Sequence, residues 1–186
     1  MELRDQPEGP ARPRGGFGPL AALAVVGGVL GASALLGRRN APDPSHPGVE
    51  RWYRGLDKPP FTPPKPVFGA VWPVLEAGMA VGGYRLLRRP RSDARDAALG
   101  LWLFTTGMIG GWTEIFFRER ALGASTGLAV AMTGTSAAYV ATARKVDGPA
   151  AWAGAPLTAW LCFASLLSNE VRRRNDGGRA GRGGGE

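Results

Sequence analysis

The chain has 186 residues, a net charge of +8, one cysteine and a mean hydropathy of −0.10. A single cysteine excludes an intramolecular disulfide framework, and the length suits one domain. The positive charge invites a nucleic-acid reading, but Arg and Lys crowd into tails and linkers beside apolar runs, where they serve as anchors at a membrane interface and not as phosphate ligands of a nucleic acid.

Residues 1–16 hold Pro7, Pro10, Pro13 and three arginines without apolar periodicity, the composition of a disordered tail. From Phe17 to Gly37 there is no charge for 21 residues, about 31 Å as a helix and close to the hydrocarbon thickness of a bilayer. This is the first expected span. Arg12, Arg14 and the Ala32-Ser33-Ala34 triplet also admit a cleaved signal peptide, for which the run is long. Residues 38–65 form the longest connection and contain seven prolines. Such length predicts a functional lid, and the prolines from Pro59 onward predict an extended path, because each lacks a backbone N–H and clashes with the preceding turn. His46 stands in this loop without a second ligand at the spacing a metal or haem site needs.

Four further apolar runs follow at 67–87, 97–117, 121–143 and 149–171, separated by Arg-rich linkers. A Gly/Arg tail over 176–186 reads as disordered. Short connections make successive helices antiparallel neighbours. The expected fold is all-α: a multi-pass bundle of five transmembrane helices in a lipid bilayer, with its membrane domain over 17–175. Lys and Arg number 13 on the side of the lid and C-terminus and 10 on the other, which favours a cytoplasmic lid. Glycines four apart at Gly27/Gly31, Gly78/Gly82, Gly107/Gly111 and Gly123/Gly127 predict close helix approach, either within the bundle or at a homodimer seam. Trp102 and Trp152, near span ends, read as interfacial belt residues.

The most specific pattern is W-Y-x-x-L-x-K-P-x-x-x-P-P-x-x-V-F-x-x-V-W, filled by Trp52, Tyr53, Leu56, Lys58, Pro59, Pro63, Pro64, Val67, Phe68, Val71 and Trp72. In these residues the chain resembles the TspO/MBR family, the tryptophan-rich sensory proteins or translocator proteins. The resemblance extends from about Phe17 to Asn175 through Trp112, Phe116, Phe117, Pro156, Trp160, Phe163 and Ala164. It implies a dimerising membrane receptor or carrier that binds a flat hydrophobic ligand, a porphyrin or sterol-like molecule, with a regulatory or transport role. Carried onto this chain, the implied pocket comprises Tyr53, Pro64, Trp72, Trp112, Phe116, Trp160, Phe163 and Ala164. Indole faces suit such a ligand by offering rigid stacking area at low entropic cost. Arg51, Arg54, Lys58 and Lys65 are placed to meet the carboxylates of a tetrapyrrole, or else to contact headgroups.

Four positions depart from the family pattern. Glu76 and Leu157 stand where Tyr is usual, and Ile109 and Ser168 where Asn is usual. Polar handles are lost, and a carboxylate is gained one turn past Trp72 on the same helix face, which adds Glu76 to the expected site. The sequence shows no nucleophile–base pair, metal-ligand cluster or phosphate loop, so no catalytic residue, metal or cofactor is expected. Two other readings remain: a porphyrin-modifying enzyme, which rests on the resemblance alone, and a structural membrane protein with a vestigial pocket.

Overall fold

The computed structural model describes residues 15–180, with side chains described through Asp176. The described residues are all-helical, with no strand among them. The helices are α1 (Pro19–Asn40), α2 (Pro47–Arg54), α3 (Lys65–Arg88), α4 (Asp93–Thr113), α5 (Leu122–Ala143) and α6 (Gly148–Ala180), and a π-helical turn over Glu114–Arg118 extends α4. The proposed disordered N-terminal tail lies outside the described residues except for Gly15 and Gly16. Residues 176–180, expected to open the C-terminal tail, continue α6, and only 181–186 lie outside.

The long helices coincide with the apolar runs because charges bracket each run. Helices α1, α3 and α6 are long and apolar enough to cross a membrane. Helices α4 and α5 have similar lengths, 21 and 22 residues, but their aliphatic content is diluted by Thr, Ser, Gly and Ala. Within residues 38–65, expected to be a lid connection, Pro47–Arg54 is helical. Pro47 occupies the first turn, where its missing N–H costs nothing, with Glu50 near the helix start and Arg51 and Arg54 in its last turn.

Small residues position the helices. A Cβ at Gly78 would collide with the Ala153 carbonyl, one at Gly82 with the Tyr139 hydroxyl, and one at Gly83 with the Trp102 indole. The α3–α6 and α3–α4 seams therefore close on glycine. Trp102 is buried, 2% exposed, with Nε1 donating to the Met79 carbonyl at 2.8 Å, which corrects its interfacial assignment. Trp152, near the start of α6, is 76% exposed. Gly107 and Gly111 have open space around them, and Gly110 instead meets Leu36 and the Ser33 carbonyl of α1. Helices α5 and α6 are joined by three hydroxyl pairs: Thr126–Ser168 at 3.2 Å, Thr133–Ser165 at 3.0 Å and Ser136–Thr158 at 2.7 Å.

At the end of the bundle away from the lid, Asp147 anchors two cations. Its side chain, 1% exposed, accepts from Arg85 Nε at 2.8 Å and Arg89 Nε at 2.7 Å, and from the Ala150 N–H at 2.9 Å. Burial alone would raise its pKa, but the Arg85 bond, the Ala150 amide and Arg89 outweigh it and hold the carboxyl at about 2.

Candidate functional site

Trp72 and Glu76, one turn apart on α3, line an internal cavity between α1, α3, α4 and α6. The other walls are Leu30 and Ser33 of α1, Leu75 and Met79 of α3, Thr106 and Ile109 of α4, and Leu157 of α6. Three of the four positions that depart from the family pattern, Glu76, Ile109 and Leu157, thus meet around one space beside Trp72. The fourth, Ser168, faces Thr126 across the α5–α6 seam and does not line it. Ser33 crosses the wall by donating to the Thr106 carbonyl at 2.9 Å. The cavity measures about 10 Å³, room for about one water. A flat polycyclic ligand enters only if the surrounding helices separate. Glu76 is half-buried, and no cation among the described residues pairs with it.

The expected aromatic residues fall into two further groups nearer the lid. In the first, Trp112 stacks on Phe116 with centroids 4.7 Å apart and planes at 17°. Trp52 meets Phe116 edge-on at 5.7 Å, and Tyr53 meets Phe117 at 5.6 Å. The π-helical turn makes this cluster possible: its widened ring, closed by the Glu119 N–H donating to the Glu114 carbonyl, directs Phe116 inward to 4% exposure. Trp112 Nε1 donates to the Ser125 carbonyl at 3.0 Å, tying the cluster to α5. Two residues past the turn, Arg120 has a left-handed φ of 56°, and its guanidinium lies 5.6 Å from the Trp52 ring centroid. Burial pushes the Tyr53 phenol up.

In the second group Trp160 packs against Phe68 at 5.7 Å and Phe163 at 5.4 Å, and Phe61 of the lid reaches Phe163 at 6.5 Å. Trp160 therefore sits with α3's first turn and the lid, and is not among the residues lining the cavity beside Trp72. Pro64 is exposed at the cap of α3, and Ala164 is half-buried on α6.

The lid cations hold the lid in this conformation. Lys58 Nζ donates to the carbonyls of Tyr53 and Leu56 at 2.6 and 2.9 Å, closing the end of α2, and burial pushes its pKa down. Lys65 and Arg54 reach Glu50 at 3.2 and 3.0 Å, and those bonds, Lys65 first, hold Glu50 below the usual carboxylate range. Arg51 Nε donates to the Pro47 carbonyl at 3.3 Å. Sequence reasoning missed Asn175 of α6, whose carboxamide binds the lid backbone at Asp57. Its place at the end of an apolar run gave no signal of that partner.

Residues 20–174 match the TspO/MBR family. The chain is similar to the translocator protein of Ovis aries, 34% identical over 135 residues, covering 71% of this chain and 79% of that protein. It is also similar to the translocator protein of Bos taurus, 32% identical over 163 residues, with 86% and 90% covered. The Homo sapiens translocator protein is 34% identical over 134 residues, with 71% and 79% covered. The family residues of the lid, the aromatic clusters and the cavity therefore lie on a chain that belongs, over most of its length, to the TspO/MBR family of membrane proteins.

Proposed function

We propose that the protein is a five-span membrane receptor or carrier that takes up a flat hydrophobic ligand, a tetrapyrrole or sterol-like molecule, beneath the lid against Trp72 and Glu76. Family membership supports the membrane receptor or carrier role, and the similar proteins are named translocator proteins. One observation carries the ligand reading: Trp72, Glu76, Ile109 and Leu157, from three helices, converge on one internal space. An indole face and aliphatic walls suit a flat apolar body, and one carboxylate selects among ligand charges. Because that space has room for about one water, binding couples to separation of the helices that line it, α1 among them.

Five spans are supported by packing. Helix α5 is paired with the apolar α6 through three hydroxyl contacts along its length, so a membrane around α6 also surrounds α5. Helix α4 is joined to α1 through Ser33 and Gly110. Reporter fusions at the two termini should then report opposite sides, and the same side for both would refute the five-span reading. A homodimer is part of the proposal, since Gly107, Gly111 and Gly127 present open space outward. Disulfide cross-linking of a Gly107→Cys variant in native membranes tests it, and only monomer would count against it.

The ligand test is the Soret shift of protoporphyrin titrated into purified protein. Trp72→Ala should weaken binding roughly ten- to a hundredfold, the loss of one stacking ring. Glu76→Gln should strengthen binding of anionic porphyrins while leaving thermal unfolding unchanged. Parental affinity in Trp72→Ala would remove the cavity as the site.

A further inference from the structure

A separate cleft of about 350 Å³ opens at the lid end of the bundle, bordered by Arg39 and Asn40 of α1, His46 and Val49 at the start of α2, and Arg118 of the π-helical turn. It shares no residue with the cavity beside Trp72. Asn40 is 1% exposed, and its Nδ2 donates to the Leu36 carbonyl at 3.1 Å, Thr113 Oγ1 at 3.3 Å and Glu114 Oε2 at 2.8 Å. Its Oδ1 is buried and has no hydrogen-bond partner. Turning the amide over would set oxygen against a carbonyl and a carboxylate, so the geometry fixes Oδ1 as the unmatched acceptor. A buried acceptor left in this state is costly, and a ligand donor arriving beside it removes that cost.

The charges around the cleft are unevenly matched. Glu114 lies 3.4 Å from Arg118 Nε, and Asp43 lies on Ser45 and His46 Nδ1. Arg39 has no acidic partner among the described residues and is the unmatched cation of the cleft, whereas Arg118 is shared with Glu114. Two guanidinium groups suit a phosphate, and the unmatched acceptor of Asn40, a residue of the same cleft, suits a hydroxyl donor on the same molecule. The cleft lies where the apolar run of α1 gives way to Arg38 and Arg39, the level at which lipid phosphates lie if α1 spans the bilayer.

We propose that this cleft binds a phosphate ester bearing a hydroxyl donor, supplied by an anionic phospholipid headgroup such as that of phosphatidylglycerol. Arg39 and Arg118 hold the phosphate, and Asn40 Oδ1 accepts the hydroxyl. The test is thermal unfolding of the full chain in detergent, titrated with short-chain lipids. Phosphatidylglycerol should stabilise at the lowest concentration. Phosphatidylmethanol, which keeps the charge and lacks the free hydroxyls, should need more, and phosphatidylcholine more again. A double variant, Arg39→Gln with Arg118→Gln, should shift the phosphatidylglycerol midpoint at least tenfold, while Arg144→Gln at the opposite end should not. Glycerol 3-phosphate matching the lipid at equal concentration would support the same chemistry with a soluble source. Equal response to phosphatidylglycerol and phosphatidylcholine, or an unshifted midpoint in the double variant, would overturn the site. Retention of lipids on the parent protein in native mass spectrometry gives a readout that does not depend on the variants folding. Equal retention of phosphatidylglycerol and phosphatidylmethanol there would overturn the role of Asn40.

Discussion

The carboxamide of Asn175 accepts from the Asp57 backbone N–H at 3.1 Å and donates to the Asp57 carbonyl at 2.9 Å, joining α6 to the lid across 118 residues of chain. A third bond, to the Val171 carbonyl at 2.8 Å, fixes the side chain on its own helix. One residue thus clips the lid, and Arg174 adds a longer contact to the Asp57 carboxylate at 3.7 Å.

Asn175→Ala should therefore free the lid without unfolding the bundle. The expected cost is about 1–2 kcal/mol of local stability, the net worth of two hydrogen bonds. Amide exchange over residues 55–62 should accelerate at least fivefold, with exchange in α5 unchanged. Unaltered exchange in the lid would show that Lys58 and the aromatic cluster hold it alone.

Close packing at glycine gives a second expectation. Gly83→Ala drives a methyl into the Trp102 indole, and Gly78→Ala drives one into the Ala153 carbonyl. Each should cost roughly 1–3 kcal/mol, as overpacking does. Gly107→Ala and Gly111→Ala meet open space and should stay within about 0.5 kcal/mol in detergent. Thermal unfolding of the four variants decides, and equal losses at all four would contradict the seams described.

Asp147 predicts an acid limit. Its folded pKa of about 2 lies below the ordinary value of 3.8, so its contribution is present above pH 4 and is lost as pH falls from about 4 to about 2. The difference corresponds to roughly 2 kcal/mol. Asp147→Asn should be less stable than the parent at pH 7, and the gap should narrow on acidification to pH 2. A constant gap across that range would mean that Arg85 and Arg89 do not set the titration.

Arg120 combines two opposed effects. Its left-handed backbone costs about 1 kcal/mol for a residue with a Cβ, and its guanidinium over Trp52 returns about 0.5–1 kcal/mol. Arg120→Gly removes both and should leave stability nearly unchanged. Arg120→Val keeps the strain, loses the cation, and should fall at least 1 kcal/mol below the glycine variant in chemical unfolding. Equal stability of the two would show that the turn relaxes.

The sequence revealed the long helices within a few residues except at the C-terminal end of α6, which runs on to Ala180 past the expected end at 171, because Arg clusters and prolines mark the other ends. Helix α2 escaped notice in a proline-rich loop, although Pro47 and Glu50 at its start are ordinary helix-opening signals. The π-helical turn left no compositional trace, since one extra residue per turn alters hydrogen bonding and not residue type. Within the site, the four-residue spacing of Trp72 and Glu76 was legible, and so was the unusual chemistry at Ile109 and Leu157. Which of these residues share a cavity depends on the rotation of α4 and α6 about their axes. That rotation is why Trp160 joins Phe68 and Phe163, and why Ser168 faces α5. Trp102 misled because its nearness to a span end suggested the interface, whereas the missing side chain at Gly83 opens a slot for its ring.

The three hydroxyl pairs along α5 and α6 also fix what can move. Sliding one helix by a single residue, or rotating it, would break all three together, although Thr126 and Thr133 would keep their bonds to the Leu122 and Ala129 carbonyls of their own helix. These two helices consequently form a rigid spine. Among α1, α3 and α6, which line the cavity beside Trp72, α1 is the least buried, with 17% of its apolar stretch buried against 22% for α3 and 39% for α6. On the proposed ligand reading, room beside Trp72 comes from α1 moving away from the α5–α6 pair, so spin labels on α1 and α6 should separate on protoporphyrin addition while labels on α5 and α6 keep their distance.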